Sequence, residues 1–196
     1  MSLFIETLRI ADGDIERLPY HQARLERTRS HFWPASAPLS LEAALADRPL
    51  SAGVFKARVV YGENGVTEVS YAPYAVRHIG SLRLVTDDTI DYTYKSTDRS
   101  SLQALAAWKG DADEIIIVKE GLLTDTSYSN IALYDGNDWY TPRTPLLKGT
   151  MRQWLLEEGR IAEADIRPDD LPRYEKVALI NAMMPLGTCV VQNILR

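Results

Sequence analysis

The 196-residue chain has little of several features that mark particular protein classes, and each scarcity excludes something. Its single cysteine, Cys189, permits no internal disulfide bond, which is typical of proteins kept in a reducing compartment. No run of about 18 apolar residues occurs, so no transmembrane helix is expected. The net charge of −5 argues against a nucleic-acid partner, because such binding needs a basic surface. The first residues show no basic region before a long apolar run, so we expect no secretion signal and a cytoplasmic protein.

Common metal and catalytic motifs are also missing. The histidines His21, His31 and His78 are scattered and no HExxH occurs, so no metal site is expected. The absence of GxSxG, GxGxxG and GxxxxGK[ST] argues against a hydrolase elbow, a dinucleotide-binding turn and a P-loop. Asp12-Gly13-Asp14 lacks the further ligands of a calcium loop, and it predicts a hairpin turn instead.

The order of hydrophobic patterns favours an α+β fold. Apolar residues at helical spacing predict helices over residues 18–33, 40–48, 101–109 and 149–159. Strands are predicted over residues 3–10, 54–62, 66–74, 81–86, 113–120, 129–136, 139–142, 176–181 and 188–194. Glu63-Asn64-Gly65 predicts a hairpin turn between the second and third of these strands. Hairpins mixed with helices favour α+β layers over a doubly wound parallel sheet.

Three polar segments next to these elements carry the groups from which a site could be built. Tyr94–Arg99 contains Lys95, which is either a surface lysine or a reactive amine. Residues 120–130 supply hydroxyl and amide groups that suit an anion, although a polar turn explains them equally. Residues 145–152 lead through Gly149 into a helix, whose first N–H groups either bind a phosphate or form an ordinary helix start.

Together, these segments resemble the class IV aminotransferases, the fold-type IV pyridoxal-phosphate enzymes. The matching segments, in the family's order, are YKSTDR (94–99), EGLLTDTSYSNIALY (120–134), YTPRTPLLKGTMRQWLLE (140–157) and KVALINAMMP (176–185). Phe4-Ile5-Glu6-Thr7 is similar to the family's FET segment, and residues 21–25, HQARL, are similar to its HxxRL helix. The match spans nearly the whole chain, and GTMRQ and INAMMP are most similar to the aminodeoxychorismate lyase branch.

The resemblance implies an architecture and a set of partners. It implies a small α/β domain at residues 1–79 on the substrate side, and a larger domain at residues 80–196 that binds pyridoxal 5'-phosphate with a β-barrel-like sheet and flanking helices. It also implies a homodimer acting on a small-molecule amine or amino acid. The chain is shorter than typical members, mainly in its first half. Candidate substrate contacts there are Arg58, Tyr61, Arg77 and His78, for which surface charge or sheet packing is the alternative.

Two residues carry the chemistry that the resemblance implies. Lys95 corresponds to the lysine that forms an aldimine with pyridoxal phosphate, which requires a site that favours its neutral amine. Asp125 falls where the family places an acid beside the pyridine nitrogen. Related enzymes usually have glutamate there, so Asp125 is one methylene shorter.

The remaining cofactor contacts follow from the same match. Arg24 corresponds to an arginine that binds the phosphate, and Leu147 to an apolar residue against the ring. Asn130 is expected on the side of the ring's 3-hydroxyl group. The other implied contacts are Ser129, Gly149, Thr150, Met151, Asn181 and Ala182. Met151 and Asn181-Ala182 replace hydroxyl-bearing residues of many transaminases, which is a lyase-like pattern.

Three functions stay open at this point. The first is a lyase that converts 4-amino-4-deoxychorismate into 4-aminobenzoate and pyruvate. The second is a transaminase acting on branched-chain or D-amino acids, and the third is a pyridoxal-phosphate-binding protein without turnover. The presence of both Lys95 and Asp125 favours an enzyme, and GTMRQ and INAMMP favour the lyase.

Overall fold

The structure, a computed structural model, describes residues 2–191 and 193–195 and divides into two compact units. The first unit extends to Ala75 and also includes Tyr94–Asp98, and the second comprises Val76–Thr93 and the chain from Arg99 onward. The segment that carries Lys95 therefore belongs to the first unit, although the sequence-based boundary at residues 79 and 80 assigned it to the second. Within the described residues, no helix is long and apolar enough to cross a membrane.

The first unit is an antiparallel sheet with two helices, and its strands are arranged in the order β2-β1-β3-β4. Its elements are β1 (Phe4–Ala11), β2 (Asp14–Ile15), α1 (Leu18–Phe32), α2 (Leu41–Ala44), β3 (Val54–Gly62) and β4 (Gly65–Pro73). Asp12 and Gly13 adopt positive φ in the turn between β1 and β2, as expected for a tight reversal. Ser40 caps α2, since its side chain accepts a hydrogen bond from the Ala43 N–H group.

The core of the first unit is set by the period-two alternation of β1. Phe4, Leu8 and Ile10 point inward together with one acid, Glu6. Leu25 of α1 is among the apolar side chains that pack against them. An acid on the inward face of this strand is exceptional and requires buried partners.

The second unit contains two sheets, with strand orders β13-β5-β6-β7 and β10-β9-β8-β11-β12. Its strands are β5 (Ser81–Thr86), β6 (Glu114–Lys119), β7 (Leu122–Leu123), β8 (Asn130–Tyr134), β9 (Trp139–Pro142), β10 (Ala162–Ala164), β11 (Lys176–Ile180), β12 (Val190–Val191) and β13 (Asn193–Leu195). The helices are α3 (Ser100–Ala106) and α4 (Thr150–Glu157), with 3-10 turns at Ala107–Lys109 and Pro168–Arg173. Met151 and Leu155 of α4 pack on Ala132, Ala178 and Ile180 of the second sheet, which fixes the start of α4 beside β8 and β11.

The mixed α+β class expected from the sequence is confirmed, and the predicted hairpin at residues 63–65 joins β3 to β4. The prediction was wrong for the last strand, because residues 188–194 split into β12, paired with β11, and β13, paired with β5. Gln192, between the two, lies outside the described residues. The short strands β7 and β10 were not predicted, since two or three residues carry no readable periodicity.

Candidate active site

The site in the second unit centres on the carboxyl group of Asp125, which is 5% exposed. Its Oδ1 atom accepts a hydrogen bond of 2.8 Å from the Asn130 side-chain amide, and its Oδ2 atom accepts one of 2.9 Å from the Leu147 N–H group. Burial raises the pKa of the Asp125 carboxyl to about 6, although both hydrogen bonds and the field of Arg152 act to lower it. The sequence thus places a largely ionised carboxylate in the interior at neutral pH.

Asn130 is held from three sides. Its Nδ2 atom donates to Asp125 Oδ1 and, over 2.8 Å, to the Leu147 carbonyl oxygen. A Cβ atom added to Gly149 would overlap Asn130 Oδ1 and lie 3.1 Å from its Cγ atom. Glycine at position 149 is therefore required by this close approach and not by its backbone angles, which are extended (φ −70°, ψ 146°).

A tight turn at Thr126–Ser129 brings Asp125 and Asn130 opposite each other as an antiparallel bridge. The Thr126 N–H group donates to the Ser129 carbonyl oxygen over 2.9 Å, and the Thr126 and Ser129 hydroxyl groups are 2.8 Å apart. The Ser127 hydroxyl donates to the buried Glu114 carboxylate over 3.0 Å. The hydroxyl-bearing residues that were predicted to face a phosphate thus stabilise a turn through their own hydrogen bonds. Phosphate contact by Ser129 stays a prediction.

Two further predicted segments lie next to this turn. Helix α4 starts at Thr150 after the N-cap residue Gly149, which offers no side-chain acceptor to the N–H groups of the first turn. On the neighbouring antiparallel strand Ile180 pairs with Asn130, so Asn181 lies beside the end of the Thr126–Ser129 turn. The Asn181 Oδ1 atom accepts the N–H groups of Met183 and Met184 over 2.9 and 3.0 Å, so this side chain stabilises its own turn.

Lys95 lies in the first unit on a segment fastened to the start of β1. Its carbonyl oxygen accepts a hydrogen bond of 2.9 Å from the Ile5 N–H group, and Ser96 forms a bridge with Phe4. The ring of the preceding Tyr94 stacks on His31 with the ring centroids 4.8 Å apart. The Lys95 side chain is half-buried. A reactive amine needs a fixed backbone and partial shielding from water, and this segment provides both.

Arg24 belongs to a buried cluster with Glu6 and His21. Its Nε and one terminal nitrogen donate to the two Glu6 carboxylate oxygens over 2.8 and 2.6 Å, and His21 Nδ1 lies 2.6 Å from Glu6. Burial alone would raise the pKa of the Glu6 carboxyl, but Arg24 and His21 lower it to about 2. Burial lowers the pKa of His21, so a neutral imidazole donates its Nδ1–H to Glu6. Phosphate binding by Arg24 stays a prediction. The structure adds that the Glu6 carboxylate orients the Arg24 guanidinium.

The candidate substrate residues of the first half differ in their surroundings. Tyr61 is 1% exposed and packs in the core of the first unit, which favours the packing alternative. Arg58 pairs with Glu68 over 2.8 Å, and Arg77 and His78 are exposed. The sequence interpretation passed over Glu6 as a partner of Arg24. The available signal was an acid on the apolar face of β1, with His21 and Arg24 three residues apart on one helix.

Comparison with known proteins places these features in a family. A family model for amino-transferase class IV matches residues 3–190. An uncharacterised Haemophilus influenzae protein is 36% identical over 181 residues, which cover 91% of this chain and 96% of that protein. The structure of a candidate 4-amino-4-deoxychorismate lyase from Haemophilus somnus superposes with a TM-score of 0.89 at 33% identity, covering 95% of this chain and 98% of that one. For a candidate amino-acid aminotransferase from Mesorhizobium loti the TM-score is 0.81 at 25% identity, with both chains fully covered.

These comparisons bear on the fold and on the chain length. They confirm the resemblance to class IV aminotransferases and the fold that it implied. The three relatives are almost completely covered by this chain, so the short first half is shared with proteins of the same size.

Proposed function

This chain belongs to the class IV aminotransferase family, and from that premise we propose that it is a pyridoxal-phosphate-dependent lyase that releases 4-aminobenzoate and pyruvate from 4-amino-4-deoxychorismate. The observation that carries the proposal is the buried Asp125 carboxyl, fixed by Asn130 and Leu147 beside the start of α4. A buried acid is costly unless a cationic partner or a reaction requires it. A protonated pyridine ring is such a partner.

The residues present fit the cofactor in the chemistry of their donors and acceptors. Asp125 supplies a buried acceptor for a ring N–H group, and Arg24 supplies a planar guanidinium suited to phosphate. Gly149 is the N-cap residue of α4 and contributes no side-chain cap, and the N-terminus of a helix suits a phosphate. When bound, pyridoxal phosphate supplies an electron sink for charge that develops at the amine-bearing carbon of the substrate.

Lys95 has two tasks in this proposal. Its amine would hold the cofactor through the aldehyde carbon, and once the substrate amine had displaced it, the same nitrogen would be available to take the proton from the substrate carbon. Both tasks need a neutral amine. The Ile5 N–H group donates to the Lys95 carbonyl oxygen and the Thr97 N–H group donates to the Leu3 carbonyl oxygen, and these bonds keep the amine's attachment point fixed.

Asp125 would hold a proton on the ring nitrogen of the bound cofactor. With a pKa of about 6 before any cation is present, its carboxyl is already mostly ionised at neutral pH. A positive charge beside it lowers that pKa further, so the pair is mutually stabilised. A carboxylate offers about four acceptor positions, so the donors from Asn130, Leu147 and Leu146 still leave room for the ring N–H group.

A transaminase is the second candidate, and the Mesorhizobium loti structure of equal length favours it. The two reactions share the proton removal by Lys95 and differ afterwards. The lyase expels the enolpyruvyl oxygen as the ring becomes aromatic, and it needs no second substrate. A transaminase returns a proton to the cofactor carbon, and it needs a keto acid. Met151 and the Asn181-Ala182 pair, which lack the side-chain hydroxyls of many transaminases, favour the lyase.

The test offers 4-amino-4-deoxychorismate to the cofactor-loaded protein in one series, and L- and D-amino acids with 2-oxoglutarate or pyruvate in another. Release of 4-aminobenzoate without build-up of pyridoxamine phosphate is the expected result. Rapid conversion to pyridoxamine phosphate by an ordinary amino acid, with no 4-aminobenzoate formed, transfers the assignment to the transaminase. A loaded protein that converts neither substrate class is a binding protein, and it refutes both proposals.

We also propose a cytoplasmic homodimer. Two-fold dimers are the commonest closed assembly, and a partner subunit would help to exclude water from the reaction. The single cysteine is compatible with a reducing cytoplasm. Light scattering at micromolar concentration should give twice the 22.0 kDa chain mass. A fully active monomer contradicts this assembly.

A further inference from the structure

The Asp125–Asn130 pair points to a role for Asn130 that the sequence match does not give. The match places Asn130 on the 3-hydroxyl side of the cofactor ring, as a direct contact. In the structure, however, both hydrogens of the Asn130 amide are already used, one by Asp125 Oδ1 and one by the Leu147 carbonyl oxygen, each over 2.8 Å. An amide nitrogen carries only two hydrogens, so none is left for a ligand.

The orientation of this amide is fixed by its neighbours. The Leu147 carbonyl can only accept a hydrogen bond, so the nitrogen end of Asn130 must face it. The oxygen end points toward Gly149, where the missing Cβ atom makes room for it. Leu147 contributes at both ends of the arrangement, because its N–H group donates to Asp125 Oδ2 over 2.9 Å. Asn130, Leu147 and the carboxylate thus form a closed ring of hydrogen bonds.

We propose that Asn130 is a positioning residue, whose amide aims the Asp125 carboxylate and favours its ionised form, in place of a direct contact with the cofactor. This inference rests on the proposed function for its purpose, but not for its geometry. An amide hydrogen can be given only to an acceptor, and the ionised carboxylate is the better acceptor. The Thr126–Ser129 turn supports the arrangement by keeping the two residues in register as a bridge.

Other charges near Asp125 do not replace this donor. Arg152 of α4 is the charged residue whose field acts on Asp125, and its guanidinium donates to the Pro142 carbonyl oxygen and, over 2.7 Å, to the Glu163 carboxylate. Burial opposes ionisation of Asp125, so loss of the Asn130 donor leaves the backbone N–H groups of Leu147 and Leu146 and the field of Arg152 to favour the ionised form. The ionised fraction at neutral pH should then fall.

The experiment measures the Asp125 carboxyl directly in the cofactor-free protein, by carbon-detected NMR titration of labelled aspartate. Asn130→Leu keeps the size of the side chain and removes its donors. We expect the Asp125 pKa to rise by about one unit or more, as the loss of a charge-assisted hydrogen bond implies. The matched control is Thr124→Val, which removes a buried hydroxyl donor one residue from Asp125 that bonds to the Ile117 carbonyl oxygen. The control should leave the Asp125 pKa unchanged.

A measurement on the unaltered protein covers the case in which Asn130→Leu does not fold. The Asn130 side-chain NH₂ signals should be protected from exchange and should shift with the same pH midpoint as the Asp125 carboxyl. An unchanged Asp125 pKa in Asn130→Leu, or Asn130 signals that ignore the Asp125 titration, overturns the inference. These results are independent of cofactor binding, so they are distinguishable from failure of the proposed function, which shows as no pyridoxal phosphate adduct in the unaltered protein.

Discussion

Substitution of Gly149 by alanine should disrupt the hydrogen-bond ring around Asp125, and the structure allows the size of the effect to be worked out. The added Cβ atom would overlap Asn130 Oδ1 and crowd its Cγ atom at 3.1 Å. A free asparagine could turn away at little cost. This one cannot, because its nitrogen is held by Asp125 and by the Leu147 carbonyl oxygen.

The expected cost follows from the bonds that must break. If the Asn130 amide retreats, one neutral and one charge-assisted buried hydrogen bond are lost, which together amount to about 3 kcal/mol of unfolding free energy. For a chain of this size, that loss lowers the melting temperature by roughly 10 °C. Thermal unfolding of the cofactor-free protein, followed by circular dichroism, measures it. Gly80→Ala is the control, because its Cβ atom would lie no closer than 3.4 Å to Asp113 and His78.

A double-mutant cycle decides whether the clash with Asn130 is the cause. In an Asn130→Ala background the obstructing amide is gone, so Gly149→Ala should cost little. The coupling between the two changes should approach about 2 kcal/mol or more, the range seen for residues in contact. Additive effects, or a Gly149→Ala variant as stable as Gly80→Ala, refute the reasoning.

Three further predictions test the buried acids. Glu6→Gln leaves the buried Arg24 guanidinium without its counter-charge, and it should lower the unfolding free energy at pH 7, measured by urea denaturation, by roughly 3–5 kcal/mol. The control Glu68→Gln, at the exposed pair with Arg58, should lower it by less than about 1 kcal/mol. Because the Glu6 pKa is lowered from 4.5 to about 2, the stabilisation by Glu6 is complete above pH 4.5 and is lost as the pH falls toward 2. The difference in unfolding free energy between the unaltered protein and Glu6→Gln should therefore shrink over that range. A difference that stays constant contradicts this prediction. The Asp125 pKa is raised from 3.8 to about 6, so the contribution of this carboxyl to stability is complete below pH 3.8 and is lost as the pH rises through 6. Over that range the unfolding free energy of the cofactor-free protein should fall by on the order of 3 kcal/mol relative to that of Asp125→Asn. A difference between the two proteins that does not change with pH contradicts this prediction.

The sequence was informative where a pattern is local. The strand β1, the turn before β2 and the hairpin between β3 and β4 each depend on neighbouring residues, and each was predicted. The order of polar segments also placed Asp125, Gly149 and the start of α4 next to elements that the structure brings together. In these cases the residue types and the backbone requirement point the same way.

The contacts that decide the chemistry are tertiary, and for that reason single-sequence patterns did not give them. Nothing local pairs Glu6 with Arg24, 18 residues away, or commits both Asn130 hydrogens to Asp125 and Leu147. The hydroxyl groups of residues 126–129 were predicted to contact a phosphate, whereas in the structure those of Thr126 and Ser129 hydrogen-bond to each other and stabilise a turn. The role of a polar residue depends on which acceptor the fold brings within reach.

We propose Lys95 as the lysine that bonds to pyridoxal phosphate. The direct measurement is borohydride reduction of the loaded protein, followed by peptide mass spectrometry to locate the pyridoxyl group, with Lys95→Ala treated in parallel. The account predicts a single modified peptide that carries the group on Lys95, and no covalent label in Lys95→Ala even where some cofactor stays bound. A label on Lys148 or any other lysine, or a labelled Lys95→Ala variant, contradicts the account.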